Sequence, residues 1–257
     1  SAGVGYGSIQ SFSTAICDAD VTTGLQAWWK FDEGSGTTAA DSSGNSNTGT
    51  LTGGPTWTTG VDAGALSFDG TNDWVSVADS ASLDMTHSST TLSLWFMPTG
   101  YMGSGGYHNS PFTGKEYAYG LPAYGMSISA VKPSHYQLFD SNITNATGTT
   151  LLGSGASLYP NKWYHLVTTF SDTGTSTWVR MYVNGQLVST RWSSNRIEDS
   201  NSLFRIGMQG GVFSNGRIDD VRVWNRPLTD GNIQTLYSAF SAPVHPTSDA
   251  TAPVVST

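Results

Sequence analysis

Apolar and polar residues alternate with a period of two along most of the chain, which is typical of strands with one buried face. In Thr90–Pro98, Leu92 and Leu94 share one face and Trp95 lies on the other. Across residues 177–190 the alternation continues on both sides of Asn184-Gly185, a dipeptide that strongly favours a two-residue hairpin. The same pattern predicts further strands at residues 25–31, 48–53, 64–70, 73–79, 124–131, 136–141, 162–170, 202–208 and 216–224.

Only residues 229–240 have a helical pattern. About a dozen short strands separated by turn residues predict an all-β fold, a two-sheet antiparallel jelly-roll sandwich with one short C-terminal helix. We expect residues 1–24 to be a leader or linker and residues 25–240 to form the domain. Residues 241–257 are rich in Pro, Ser, Thr and Ala, which predicts a linker to other modules of the same parent chain.

Charge and composition exclude several classes of function. The chain has 11 Lys and Arg against 19 Asp and Glu, a net charge of −8, which argues against nucleic acid as a partner. It has no run of about 18 apolar residues, so we expect no membrane insertion. Cys17 is the single cysteine, so no intrachain disulfide is predicted.

Several segments, in their order and spacing, resemble the LamG-like jelly-roll family of the concanavalin A-like lectin/glucanase superfamily. They are "AWWKFDEGSGTTAADSSGNSNTGTL", "GALSFDGTNDWVSV", "TLSLWFMPT", "KWYHLVTTF", "MYVNGQLV" and "GRIDDVRVWNRPLT". The resemblance implies a two-sheet jelly roll that often binds calcium and sometimes carbohydrate, used in secreted proteins as a binding module or a spacer. The interval between Gly100 and Asn161 is longer than the resemblance implies, and loops of that length are usually functional or disordered.

The resemblance also implies that the first and last strands pair, which would bring "FDEGSG", "ADSSGNSN" and "RIDD" together. We therefore predict a Ca²⁺ site whose ligands are oxygen atoms of Glu33, Asp41, Asn45 and Asp219, with Asp41 and Asp219 implied most directly. Asp32 and Asp220 are expected to point to the other side of their strands. The alternative is that these acids only cap turns and the helix entry, as Asp and Asn commonly do.

The residues do not favour an enzyme. The three glutamates, Glu33, Glu116 and Glu198, are far apart in sequence, and the paired carboxylates of a glycosidase are missing. Asp219 and Asp220 are adjacent, so a regular strand would point them to opposite faces. His165 is expected to be a buried, hydrogen-bonded residue rather than a base. We predict no catalytic residues, although a polysaccharide-cleaving enzyme remains a third hypothesis.

A binding surface is better supported, because flat aromatic side chains stack on the apolar faces of sugars. Arginine binds carboxylates or sulfates bidentately, so the ligand class includes acidic glycans. The opposing interpretation is that most aromatic residues, including Trp28, Trp29, Trp95, Trp163 and Trp224, belong to the core. The candidate ligand-binding residues are Tyr107, His108, Tyr117, Tyr119, Tyr124, Arg191, Trp192 and Arg196.

The first hypothesis is a calcium-stabilised, carbohydrate-binding module of a larger secreted or cell-surface protein, which we expect to be bacterial. The second is a protein-binding or spacer module of an adhesin or a multi-domain enzyme. A spacer should bury nearly all of its aromatic side chains, whereas a glycan-binding module should expose a cluster of them.

Overall fold

Antiparallel strands make up most of the fold. The structure, a computed structural model, describes residues 19–99, 109–118, 121–131, 136–145, 148–198 and 201–241. Within these ranges the helices are α1 (Ala19–Thr22) and α2 (Asp230–Ser241). The strands are β1 (Leu25–Trp29), β2 (Thr38–Ala39), β3 (Gly49–Thr52), β4 (Thr56–Thr59), β5 (Gly64–Asp69), β6 (Trp74–Val77), β7 (Thr90–Pro98), β8 (Asn109–Ala118), β9 (Leu121–Val131), β10 (Tyr136–Asn145), β11 (Gly148–Leu158), β12 (Tyr164–Asp172), β13 (Thr177–Val183), β14 (Gln186–Ser193), β15 (Phe204–Ile206), β16 (Met208–Gln209), β17 (Val212–Phe213) and β18 (Asn215–Trp224).

The strands form two large sheets, which confirms the predicted two-sheet sandwich. Sheet 1 has the order β14-β13-β12-β7-β18-β5-β4, and β1 also pairs with β18. Sheet 2 has the order β11-β10-β9-β8-β15-β6-β3-β2. A two-stranded sheet of β16 and β17 completes the set in the described residues. The predicted pairing of the first and last strands is confirmed, since Leu25 lies opposite Trp224 and Trp29 opposite Val221.

The alternation in the sequence sorts side chains between the core and the outer face of sheet 1. Leu92, Leu94 and Phe96 of β7 are buried in the core between the sheets. On β13, Val179 and Met181 point into the same core, so Trp178 and its alternate neighbours point outward. The outward side of sheet 1 is the surface on which the candidate sites lie.

Helix α2 covers part of this outer face. Ile233 and Leu236 of α2 pack with Val167, Tyr182 and Trp224 of the sheet in a second apolar cluster. The helix begins with a reciprocal cap, in which Thr229 Oγ1 accepts a hydrogen bond from Asn232 N while Asn232 Oδ1 accepts one from Thr229 N. The predicted helix at residues 229–240 is therefore confirmed.

The structure differs from expectation at two places. Upstream of Leu25, the short helix α1 lies close enough to the sheet for Trp224 Nε1 to donate to Val21 O. Between Gly100 and Asn161, the described residues form the four strands β8–β11, which extend sheet 2. The strands predicted at residues 124–131 and 136–141 are confirmed as parts of β9 and β10. Strands β8 and β11 were not predicted, because segments such as Gly148–Leu158 are too rich in Gly, Ser and Thr to show apolar alternation.

Candidate functional site

Asp219 and Asp220 lie at a β-bulge in β18, where the register shifts between Asp219 and Arg222. Asp220 has a φ of 51°, a left-handed conformation that Asp tolerates better than most residues. The bulge interrupts the alternation, so both carboxylates line one cavity of about 210 Å³. The expectation that they point to opposite faces is wrong, since it assumed an unbroken strand.

We call this space the bulge cavity. Its acidic wall consists of Asp32, Asp62, Asp219 and Asp220. The remaining wall consists of Lys30, Arg222, Trp28 and Phe240. The cavity therefore combines both signs of charge with two aromatic rings, one from β1 and one from the end of α2.

Each of the two bulge carboxylates is held by hydrogen bonds. Asp219 Oδ2 accepts from Val61 N at 2.8 Å and from Asp62 N at 3.3 Å. Asp220 Oδ1 accepts from Trp28 Nε1 at 2.6 Å and from Arg222 Nε at 3.0 Å. Arg222 Nη2 also lies 3.0 Å from Asp220 Oδ1, which makes a buried ion pair.

Burial raises the pKa of both acids. Desolvation raises the pKa of Asp219 to about 7, although the N–H groups of Val61 and Asp62 favour its charged form. Desolvation also raises the pKa of Asp220, opposed by the charge of Arg222 and the hydrogen bond from Trp28. Above neutral pH the cavity wall therefore carries a buried charge that it does not carry in acid.

The predicted calcium ligands have other partners. Asp41 Oδ1 accepts from Trp28 N and Ser43 N, and Asp41 Oδ2 accepts from Ser43 Oγ and Asn47 N. Glu33 Oε1 accepts from Ala40 N, and Asn45 Nδ2 donates to Gln26 O. These bonds shape the loop in the way that Asx turns do.

The described residues contain no group of three or more His, Cys, Asp or Glu side chains that could hold a metal ion. Glu33, Asp41 and Asp219 are thus not brought together, and the set of calcium ligands predicted from the sequence is wrong as a set. The pairing of β1 with β18 was predicted correctly, but Asp219 turns toward the loop at Val61 rather than toward Asp41. Calcium binding itself stays a prediction.

Two of the predicted ligand-binding residues are engaged elsewhere. Tyr124 is fully buried and donates its hydroxyl hydrogen to Leu83 O at 2.8 Å, so its assignment to a binding surface is wrong. Arg196 donates from Nε and Nη2 to the two carboxylate oxygens of Asp172, both at 2.6 Å, and this bidentate pair lowers the pKa of Asp172. Tyr107, His108 and Tyr119 lie outside the described residues, as does the side chain of Tyr117 in β8.

His165 was predicted as a buried, hydrogen-bonded residue, and this is confirmed. Its Nε2 lies 2.9 Å from Ser93 Oγ, and the residue is buried beneath α2. Desolvation lowers the pKa of His165 to about 3, with the charge of Arg222 acting in the same direction. A neutral, enclosed imidazole of this kind has no access to a substrate.

Trp192 and Trp178 form an exposed cross-strand pair on the outer face of sheet 1. They are direct partners in the β13–β14 register, and they are 54% and 47% exposed. We call this pair the tryptophan platform. Arg191, the neighbour of Trp192, is exposed and donates only to the adjacent Thr190 O in the described residues. Trp178 was missed in the sequence, although its alternation with the core residues Val179 and Met181 indicated an outward side chain.

Polar groups border the platform along the same face of β13. Arg180 Nη1 lies 2.9 Å from Asp230 Oδ1, and Tyr182 Oη donates to the same oxygen at 2.8 Å. Desolvation, together with this hydrogen bond, raises the pKa of the Tyr182 hydroxyl. The outer face thus carries two flat apolar rings beside a fixed set of hydrogen-bonding groups.

Comparison with known families and structures gives the context of this arrangement. The model of the family Laminin_G_3, described as concanavalin A-like lectin/glucanases superfamily, matches residues 69–234. The comparison with curated protein sequences gave no match. None of the helices in the described residues is long and apolar enough to cross a bilayer.

Solved structures of binding domains are similar in fold. The binding domain of Paraclostridial Mosquitocidal Protein 1 has a TM-score of 0.67 and 17% identity, covering 86% of this chain and 53% of that one. Domain 4 of AbnA, an extracellular GH43 arabinanase from Geobacillus stearothermophilus solved with arabinotriose, has a TM-score of 0.63 and 20% identity, covering 83% and 98%. The receptor binding domain of botulinum neurotoxin C/D mosaic serotype has a TM-score of 0.64 and 12% identity, covering 85% and 52%. The chain thus spans about half the length of the two toxin domains.

Proposed function

This chain belongs to the Laminin_G_3 family of the concanavalin A-like lectin/glucanases superfamily, and on that basis we propose that it is a non-catalytic carbohydrate-binding module of a larger secreted protein. The single observation that carries the proposal is the tryptophan platform. Two large apolar side chains stand about half exposed, side by side, on a rigid sheet. Exposed aromatic clusters of this kind usually mark interaction sites.

The chemistry of the platform suits a sugar. The C–H faces of sugar rings are apolar and stack on indole rings, while their hydroxyl groups require hydrogen-bonding partners at the edge. Trp178 and Trp192 supply the flat surface. Arg180 and Asp230, already fixed by their mutual ion pair, supply a donor and an acceptor next to it. Because these groups are held in place before binding, little conformational entropy is lost on association.

The similar structures support a glycan as the ligand class. Domain 4 of AbnA was solved with arabinotriose, and it is covered almost completely by this chain. Cell entry of botulinum neurotoxin type C is described as dependent on interaction with two ganglioside molecules. These ligands belong to those proteins, whose identities to this chain are 20% and 14%. They favour arabino-oligosaccharides and sialylated ganglioside glycans as first probes.

The second candidate function is protein binding, and one observation favours it. A separate exposed apolar pair lies on the edge strand β14, where Leu187 and Val188 are 43% and 39% exposed. Branched aliphatic side chains contribute to protein interfaces by burial rather than by stacking. Glycan binding therefore depends on stacking by Trp192, whereas protein binding depends on burial of Leu187.

The test is a glycan array, together with pull-down by insoluble plant and microbial polysaccharides, on the wild-type chain and two variants. The double variant Trp178→Ala/Trp192→Ala removes both rings. The matched control Leu187→Ser removes an exposed apolar side chain of the same strand, about 17 Å from Trp192 at the usual rise per residue.

We expect the wild-type chain and L187S to bind the same glycans and the double tryptophan variant to lose them. Unchanged thermal melting of all three proteins would exclude misfolding as the cause. Glycan binding that survives the loss of both indoles, or the absence of any bound glycan, would reject the proposed platform. In the second case the protein-binding function becomes the better explanation.

A further inference from the structure

The bulge cavity lies on the same outer face of sheet 1 as the tryptophan platform but at a different place. The platform belongs to β13 and β14, whereas the cavity lies at β18 and β1, and β12 and β7 run between them. With about 4.8 Å between neighbouring strands, the two places are at least about 14 Å apart. The bulge cavity is therefore too far from the tryptophan platform to be part of it.

Inside the cavity, the polar groups of the wall are already paired with one another by hydrogen bonds and an ion pair. Asp220 is neutralised by Arg222 and bonded by Trp28, and Asp219 is held by the backbone of Val61 and Asp62. The Arg222 guanidinium lies 4.2 Å from the centre of the Trp28 ring and 5.9 Å from that of Phe240. Such an arrangement fixes the shape of the cavity in the absence of a ligand.

The groups at the mouth, in contrast, are free to bind. The Lys30 ammonium contacts only the Trp28 ring, 4.3 Å from its centre, among the described residues. Among the residues that the structure describes, no group donates a hydrogen bond to the Asp62 carboxylate. The hydrogen bond between Asp62 and Asp219 uses the backbone N–H of Asp62. The mouth therefore presents an unused donor and an unused acceptor, both on exposed side chains.

One buried polar atom next to the cavity, on Trp95, is also without a partner. Trp95 lies opposite Asp219 in the sheet register, and its ring is 6.1 Å from that of Phe240, so it contacts two residues of the cavity wall. Trp95 Nε1 has no hydrogen-bond partner among the described residues. Buried polar groups without a partner are rare in folded proteins and often indicate a missing water or ligand.

Size and charge together define the ligand. A volume of about 210 Å³ is below that of pockets for drug-sized molecules, roughly 300–1,000 Å³, and suits one small ring. Four aspartates beside two cations disfavour phosphate or sulfate, because the acids would repel an anion. A neutral polyhydroxyl ring can donate to Asp62 and accept from Lys30 at the same time.

We propose that the bulge cavity is a second carbohydrate site, which takes a single neutral sugar residue such as the end of a glycan chain. The inference rests on the proposed function for its class of ligand, but not on the tryptophan platform. The platform stacks against the face of a sugar ring, whereas the cavity takes in the single ring at the end of a glycan chain. A module with both sites would bind a branched or folded glycan with higher avidity than either site alone.

The test uses the Trp28 indole N–H, which donates to Asp220 inside the cavity, as a reporter in ¹H–¹⁵N NMR spectra of the full chain. The probes are glucose, galactose, mannose, arabinose and N-acetylglucosamine, with sodium sulfate and sodium phosphate as anions. The variants are Lys30→Met and Asp62→Asn, which remove the free donor and acceptor. Lys162→Met is the matched control, since Lys162 is exposed elsewhere.

We expect at least one sugar, and neither anion, to shift the Trp28 signal in a saturable way. K30M and D62N should weaken that shift at least fivefold, whereas K162M and the double variant W178A/W192A should retain it. No shift with any of the sugars, a shift caused by the anions, or an unchanged shift in K30M and D62N would overturn the proposal. Because the double tryptophan variant tests only the platform, failure of the proposed function is distinguishable from failure of this inference.

Discussion

Trp178 and Trp192 lie directly opposite each other on β13 and β14, and about half of each side chain is exposed to solvent. Cross-strand aromatic pairs stabilise a sheet by only about 0.2–1 kcal/mol relative to alanine. The pair therefore contributes little to the stability of the fold, although it leaves a large apolar area in contact with water. Its substitution is therefore a clean probe of function, because the sheet is expected to survive it.

We predict that Trp178→Ala and Trp192→Ala each weaken binding of the glycan found on the array by about tenfold, or about 1.4 kcal/mol. The reason is that each ring contributes its own stacking surface, and phenylalanine at either position should restore part of the affinity. Isothermal titration calorimetry of the single variants measures the loss.

The same titration at low and high ionic strength identifies the forces involved. Stacking is insensitive to salt, whereas exposed charge pairs are screened. An affinity that falls steeply with salt would contradict the stacking mechanism and indicate an acidic glycan bound through the exposed Arg191.

Much of the fold could be predicted because many of its determinants are local. The alternation of Leu92, Leu94 and Trp95 defined both faces of β7, and Asn184-Gly185 placed the hairpin, where both residues adopt the required positive φ angles of 51° and 74°. The pairing of β1 with β18 was not local, and it followed from the family resemblance. Strands such as β11 were missed, since Ser, Thr and Gly alternate without apolar contrast.

The sites could be predicted only in part, for physical reasons that the sequence does not display. Trp192 was identified from its place beside Arg191 in the segment "STRWSSNRIEDSN". That Trp178 lies next to it became visible only once the register of β13 and β14 was known. The bulge at Asp220 changes the direction of a side chain by inserting one residue, and nothing in "RIDDVRVW" marks the insertion. Tyr124 was misassigned because it was judged by residue type, although it alternates with Met126 and Ile128 in the strand predicted at residues 124–131, and all three are buried.

The raised pKa of Asp219 predicts a dependence of stability on pH. The folded chain holds a proton on Asp219 up to about pH 7, whereas the unfolded chain loses it near the ordinary value of 3.8. Between these values the folded state binds more protons, so this carboxyl lowers the free energy of unfolding as pH rises. We therefore expect Asp219→Asn to become progressively more stable relative to the wild-type chain from about pH 4 to pH 7.

The measurement is urea denaturation of both proteins across that range, and the quantity of interest is the difference between them. His165 acts with the opposite sign, because its folded pKa of about 3 lies below its unfolded value of 6.5, but its effect is common to both proteins and cancels. A difference that does not change with pH would show that Asp219 titrates normally in the folded state.

The Asp220–Arg222 pair predicts a strong non-additivity. Arg222→Met leaves the Asp220 carboxylate buried without its counter-charge, which should lower the free energy of unfolding by about 3 kcal/mol. Asp220→Asn keeps an acceptor for Trp28 Nε1 and tolerates the left-handed backbone, so it should cost less. The double variant D220N/R222M should be more stable than R222M alone, because no buried charge remains unpaired.

A double-mutant cycle by chemical denaturation measures this coupling directly. The pair lies inside the bulge cavity, so binding assays on these variants would not separate stability from function, and the cycle is confined to unfolding. If the losses in D220N and R222M simply add in the double variant, the two side chains are not coupled and the ion pair contributes nothing to the fold.

The loop at Asp41 allows the calcium prediction to be tested against hydrogen bonding. Four donors, from the Trp28, Ser43 and Asn47 backbones and the Ser43 hydroxyl, occupy the two Asp41 oxygens without any ion. We expect Asp41→Ala to lower the melting temperature by the same amount in calcium and in EDTA, because the lost interactions are protein–protein bonds. Thermal melts of both proteins, with elemental analysis of the purified chain, provide the measurement. The opposite result would be calcium in the wild-type chain and a melting temperature that falls in EDTA and recovers on adding Ca²⁺ only when Asp41 is present. That result would support the cation site implied by the family resemblance.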